Sequence, residues 1–442
     1  PPAEIDRLAK LMPHTAASNI RKAIDTLPEL KNFPRGKLYQ EILDICADLD
    51  GAPRHLSVHL GGVVVSRDAL TDLVPLQWSA KGVIITQYDK DDIEALGLVK
   101  MDLLGLRILS AMQSTVDSLR AEGTELCLES LPLDDEKTYE LLRSTRTVGV
   151  FQLESPGMRE LLGRLQPTQF ADVLANIALF RPGPMQADMV SPFIARRHGV
   201  EAVKFAHPCL APILGETYGV IIYQEQVLQV AAVMAGFTLG QADLLRRAMT
   251  RHCPPEQMER IRQDFRHGCQ ARGIDAEVTE QVFAQLSAFA AYGFNKAHAA
   301  TFGLTAYHTA YLKAHYPAHF LASLLNHQPM GYYPARVILN EARVMGIKIL
   351  PLDILQSSFD STVEDGAIRV GLKHIAALTR EHYHCLETRR EAATWSTFSD
   401  ALEGLRALVD EAVEEPIRWP ASNAAGEAVT REARLPRVIF TR

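Results

Sequence analysis

Apolar residues over the first 50 positions fall at helical intervals. Leu8, Leu11 and Met12 share one face, and Pro28 and Pro34 interrupt the run. Between Ser57 and Leu106 the period shortens. Val63-Val64-Val65, Val83-Ile84-Ile85 and Leu98 to Leu103 are short β-type runs separated by Gly-containing turns. Read as a strand, the last of these turns Val99, Met101 and Leu103 toward a core and sets Lys100 and Asp102 together on the opposite face. From Leu106 to about Leu325 the spacing is helical again. Thr168 is placed to cap a helix carrying Phe170, Val173, Leu174 and Ile177, which Arg181-Pro182-Gly183-Pro184 would end. Further helices are predicted over Gln224 to Ala235, Ala242 to Met249, and Lys296 to Tyr316, the last stopping at Pro317. Residues 331–375 return to mixed α/β texture, and beyond about Leu405 the chain reads as an acidic, then Ala-rich, weakly ordered tail. The expected fold class is mainly α with a small α/β part.

A chain of 442 residues, 47% of them hydrophobic, has enough apolar surface for about two to four domains. No uncharged apolar run reaches the ~18 residues of a membrane span. Cys46, Cys127, Cys209, Cys253, Cys269 and Cys385 form no CxxC pair, which argues against a disulfide framework or zinc cluster and for a reducing cytoplasm. The net charge is −7, so nothing in the whole-chain balance advertises nucleic-acid binding, although a local basic groove would suffice for it.

Several segments offer chemistry. Asp102 beside Lys100 suits a metal–phosphate site, the carboxylate holding Mg²⁺ and the ammonium offsetting phosphate charge; the alternative is a solvated surface ion pair. Arg181 stands at a rigid turn, where it either presents its guanidinium to an anion or merely precedes helix termination. Arg246 and Arg247, followed by Arg251 and His252, concentrate positive charge near a helix C-terminus. They suit either a phosphate grip or simple pairing with the helix dipole. From Tyr292 to Phe320, Lys296, His298, His308, Lys313 and His315 alternate with aromatic residues, as in a nucleotide groove, but Ala299, Ala300, Gly303, Ala306 and Ala310 equally suit close helix packing. His55 with His59 is too little for a zinc site, and no Walker, GxSxG or GxGxxG pattern occurs.

In order along the chain, several segments resemble the α subunit of bacterial DNA polymerase III, a C-family polymerase. They are Arg54-His55-Leu56-Ser57-Val58-His59-Leu60-Gly61-Gly62-Val63, Gln87 to Asp92, Lys100-Met101-Asp102-Leu103-Leu104-Gly105-Leu106, and Gly149 to Ser155. Ala178 to Pro184, Tyr223-Gln224-Glu225-Gln226, Leu245-Arg246-Arg247-Ala248-Met249 and Phe294 to Ala299 continue the series. The likeness covers roughly residues 35–375. It implies a partial thumb over 1–57, the second half of a nucleotidyltransferase-like palm over 58–107, and helical fingers over 108–334. A little-finger and degenerate helix-hairpin-helix region would follow over 335–404, and the tail over 405–442.

By the same resemblance, Asp102 is one of the carboxylates that bind two catalytic Mg²⁺ ions, and Lys100, Arg181, Arg246 and Arg247 face the triphosphate, with Lys296 and His298 assisting on a finger helix. The implied partners are primer–template DNA, dNTPs and, in a full-length protein, replisome subunits such as the sliding clamp. The family's other two carboxylates form an Asp-x-Asp strand ahead of the thumb, and the chain is expected to begin after it and to be inactive alone. Asp48-Leu49-Asp50 does not replace that strand, because at a helix end the two side chains point about 200° apart. Around Gly371 to Leu378 the hairpin glycines that offer N–H groups to DNA phosphate are replaced. Pro53 to Ser57 and Gln328 to Tyr333 resemble the error-prone, damage-associated paralogue, whereas Lys296 to Ala299 and Tyr311 to Pro317 resemble the replicative one. The rival reading is a non-catalytic DNA-binding relic of a polymerase.

Overall fold

The computed structural model describes residues 2–392 apart from 13–14, 32, 53–55, 181–188, 251–254, 291–293, 332 and 376–377. It is mainly helical with three small sheets, and it divides into two compact units, Pro1–Gly105 and Leu106–Arg442.

In the first unit, α1 (Pro2–Leu11), α2 (Ile20–Thr26) and α3 (Lys37–Asp48) gather around a small core of Ile24, Leu30, Phe33 and Leu43, with Leu8 and Met12 packed against it. Beyond α3 come β1 (Gly62–Val65), β2 (Leu76–Trp78), β3 (Ile84–Thr86), α4 (Lys90–Ala95) and β4 (Val99–Asp102). Asp89 starts α4 by accepting the N–H groups of Asp91 and Asp92, at 2.8 and 3.0 Å. Strands β1 and β4 form an antiparallel ribbon in which Gly62 faces Asp102, Val63 faces Met101 and Val65 faces Val99. The predicted alternation holds, but the predicted burial does not. Val99, Met101 and Leu103 are 57%, 47% and 63% exposed. A two-stranded ribbon buries neither face by itself, and no described element of this unit lies over the valine side.

The second unit opens with α5 (Arg107–Ala121), α6 (Glu136–Arg143), α7 (Pro156–Leu165), α8 (Phe170–Leu179) and α9 (Val190–Arg197). The start of α8 lies one residue later than expected. Gln169, not Thr168, is the cap, because Asp172 reaches back to accept the N–H groups of both Thr168 and Gln169, at 2.9 and 3.2 Å. Arg197 closes on the same carboxylate, Nε to Oδ1 2.7 Å, and both side chains are buried. Four longer helices further on, α10 (Gln224–Ala235), α11 (Leu239–Thr250), α12 (Pro255–Ala271) and α13 (Ala276–Ala290), build a second core around Val227, Leu245, Phe265 and Leu286.

Helix α14 (Lys296–His315) then packs against α6 and α8 in the first core of this second unit, built around Tyr139, Leu162, Val173 and Tyr307. Asn295 caps it by accepting the His298 N–H at 2.9 Å, and Pro317 begins α15 (Pro317–Asn326). Helix α16 (Ala335–Val344) and the sheet of β5 (Ile349–Leu350), β6 (Thr362–Glu364) and β7 (Ala367–Arg369), in the order β5-β7-β6, complete a third core with α5 and α15. Helix α17 (Arg380–Ala392) follows, and the tail expected over 405–442 lies outside the described residues.

Candidate nucleotidyl-transfer site

At the end of β4 the side chains of Lys100 and Asp102 lie on one face, as the alternation requires, and the ammonium donates a hydrogen bond to Asp102 Oδ1. That hydrogen bond, reinforced by the lysine charge, holds the Asp102 carboxyl below the usual carboxylate range. Both groups meet solvent, so the pair is electrostatically soft and open to exchange with a ligand.

A third group, missed in the sequence, stands beside them. His59 Nδ1 is 3.8 Å from Asp102 Oδ1 and accepts the N–H groups of Gly61 and Gly62, at 3.1 and 2.6 Å. A ring nitrogen accepting two N–H groups carries no proton, so the approach to Asp102 is not an ion pair. The two glycines are what this arrangement needs. A Cβ on Gly62 would stand 2.8 Å from His59 Nδ1 and 3.0 Å from Lys100 Cε, and one on Gly61 would stand 2.5 Å from a Leu104 methyl. The signal available in the sequence was the spacing His59-x-Gly61-Gly62 immediately before a strand.

Among the described residues no group of three or more His, Cys, Asp or Glu side chains is gathered so as to hold a metal ion. Asp50 is engaged elsewhere, accepting the Ala17 N–H at 3.2 Å just beyond the end of α3. One carboxylate with an ammonium already on it does not make a Mg²⁺ site, so the side chains described here do not by themselves fit the ion.

The remaining candidates lie in the second unit. Arg246 and Arg247 converge on Asp243, Nε to carboxylate 2.9 and 2.7 Å, and the Arg246 hydrogen bond leads in drawing the Asp243 pKa down. Lys296 is held by both oxygens of Glu216, at 2.7 and 2.8 Å, and lies 5.5 Å from the centre of the Tyr223 ring. Its backbone N–H points to Glu225, whose oxygens lie 3.0 and 2.9 Å away. His298 is exposed and packs on Phe302, ring centroids 4.2 Å apart. Arg181, Arg251 and His252 lie outside the described residues.

Beyond its first turns, α14 follows the packing alternative. Lys313 is wholly buried, His308 is buried, and His315 stacks on Tyr311 and bonds Asp135 at 2.9 Å. Lys313 and His308 are therefore core groups of this unit rather than the lining of a groove.

Comparison with known proteins decides the family. A model of the bacterial DNA polymerase III alpha NTPase domain matches residues 1–105, and one of the finger domain of the same subunit matches residues 108–273. A helix-hairpin-helix motif model matches residues 346–421. The chain belongs to the family of bacterial DNA polymerase III α subunits. It is 46% identical over 366 residues to the error-prone DNA polymerase of Symbiobacterium thermophilum, covering 82% of this chain and 33% of that protein. The DNA polymerase III subunit alpha of Thermus aquaticus is 40% identical over 441 residues, 97% of this chain and 36% of the relative. That of Pseudomonas aeruginosa is 41% identical over 409 residues, 89% and 35%. The chain thus spans about a third of the length of the curated relatives it matches. An error-prone DNA polymerase and DNA polymerase III α subunits both match. No helix among the described residues is long and apolar enough to cross a membrane.

Proposed function

We propose that the chain is part of a DNA-directed DNA polymerase, supplying the second half of the palm, part of the thumb and the fingers. The complete enzyme would add dNTPs to a primer 3′ end on template DNA in the cytoplasm, together with replisome subunits such as the clamp. The observation that carries this reading is the exposed Lys100–Asp102 pair on one face of a strand end, within the segment related to the polymerase NTPase domain.

Asp102 would be one ligand of catalytic Mg²⁺, and the bound ions would make the primer 3′-hydroxyl more acidic and neutralise charge on the reacting phosphate. Lys100 would turn from Asp102 toward phosphate once a triphosphate arrives. Arg246, Arg247, Arg181 and Lys296 are assigned to the triphosphate, and His298 to the same end of α14 as Lys296. Only arginine offers a planar fork that matches phosphate oxygens in pairs, so the arginines are the stronger grips.

One carboxylate cannot hold a two-ion site, so this chain alone is proposed to be inactive. Primer extension with Mg²⁺ tests the reading by comparing this chain with a longer form that carries an Asp-x-Asp strand ahead of Pro1. The longer form should extend primers and this chain should not. Extension by this chain alone would refute the division of ligands, and failure of the longer form to bind primer–template would refute the polymerase reading.

A further inference from the structure

We propose that His59 is a positioning residue for the Lys100–Asp102 pair, acting through Nδ1 to lock the Gly61–Gly62 turn against the end of β4. The proposal rests on the polymerase reading above and adds a residue that reading does not use.

Gly62 is the first residue of β1 and faces Asp102 across the ribbon, while the Gly61 carbonyl accepts the Leu103 N–H at 2.7 Å. The backbone that carries Asp102 is therefore tied to the two glycines. Among the described residues β4 pairs with no other strand, so no second ladder fixes this end of the ribbon. His59 supplies the missing restraint, because its Nδ1 takes the N–H of both glycines. The absence of a side chain at 62 lets the imidazole and the Lys100 stem close over that turn, and its absence at 61 lets Leu104 pack there. The result is a three-layer contact of backbone turn, imidazole and lysine stem, with the Asp102 carboxylate at its edge.

With Nδ1 committed as acceptor, the ring proton sits on Nε2 and the ring is neutral. The ring is 53% exposed, and among the described residues Nε2 has no hydrogen-bond partner.

The two ring nitrogens can be separated by substitution. Asparagine places an oxygen near the position of Nδ1, whereas glutamine reaches the position of Nε2. In the full-length polymerase, His59→Ala and His59→Gln should each lower kcat by ~10–100-fold, the range found when a group that orients a metal ligand is lost. KM for dNTPs should move less than kcat, because the geometry of the transition state is what suffers. His59→Asn should restore most of the lost rate. Rescue by glutamine rather than asparagine, or a His59→Ala enzyme with the parent kcat, would overturn the proposal.

Asp102→Asn is assayed alongside. If it incorporates nucleotides at the parental rate, Asp102 lies outside the catalytic centre and the site assignment on which the proposal rests fails; if it is dead while His59→Ala matches the parent, only the role of His59 fails. A second measurement needs no activity. In this chain with ¹⁵N-labelled histidine, and with His59 assigned by the spectrum of His59→Asn, long-range ¹⁵N–¹H correlation reports which ring nitrogen bears the proton. An unprotonated Nδ1 is expected, and a proton on Nδ1 would overturn the proposal directly.

Discussion

Replacing Lys313 with methionine should unfold the second unit more readily without touching DNA binding. The side chain is fully buried, and its three donors are all used: Arg146 O at 2.7 Å, Val148 O at 2.8 Å and Glu341 Oε1 at 2.7 Å. Burial pulls the lysine pKa down and Glu341 opposes that pull, as expected for an ammonium kept charged by its partner. Methionine fills nearly the same volume, so the cost is electrostatic rather than a cavity. It leaves Glu341, 11% exposed at its side chain, without its counter-charge, and deprives two carbonyls of their donor. Breaking a buried pair from one side costs about 3–5 kcal/mol. Urea denaturation of Lys313→Met should show the midpoint falling at unchanged slope, and Lys313→Met combined with Glu341→Leu should recover much of the loss. A loss below about 1 kcal/mol would refute the buried-pair account. So would weakened primer–template binding in a gel shift at unchanged stability, which would return Lys313 to a nucleic-acid groove.

Three further outcomes are expected. Gly62→Ala should cut incorporation by the full-length polymerase about tenfold or more, since its Cβ would press on His59 and Lys100; parental activity would show that the turn has slack. Arg246→Ala should raise KM for all four dNTPs alike, because a phosphate contact does not read bases, and a base-selective change would assign it another role. Glu280 lies between Arg262 and Arg266, and their hydrogen bonds depress its pKa from 4.5 to about 2. A depressed carboxyl pKa stabilises the fold above the unfolded value and loses that contribution as pH falls toward the folded value. Melting temperature should therefore decline more steeply between about pH 4.5 and 2 in the parent than in Glu280→Gln, and parallel curves would contradict this.

Local signals were readable in the sequence where local chemistry sets the outcome. Pro317 ends α14, and the alternation around Asp102 places it beside Lys100. The burial of Lys313 was not readable, because it depends on a glutamate 28 residues later and on carbonyls more than 160 residues earlier. Thr168 lost the cap to Gln169 because the Asp172 carboxylate takes the N–H groups of both residues and so fixes where the helix begins. Val99 and Met101 had the pattern of core residues, yet alternation specifies a face and not the layer that covers it. The place of His59 was not readable, because its partners are backbone groups of its own turn rather than a metal ion or another side chain of a motif.

The catalytic assignment rests on Asp102. In the full-length polymerase, Asp102→Asn should abolish primer extension in Mg²⁺ while primer–template binding by gel shift is retained. Nucleotide incorporation at the parental rate by that variant would contradict the assignment of the carboxylate to the catalytic centre.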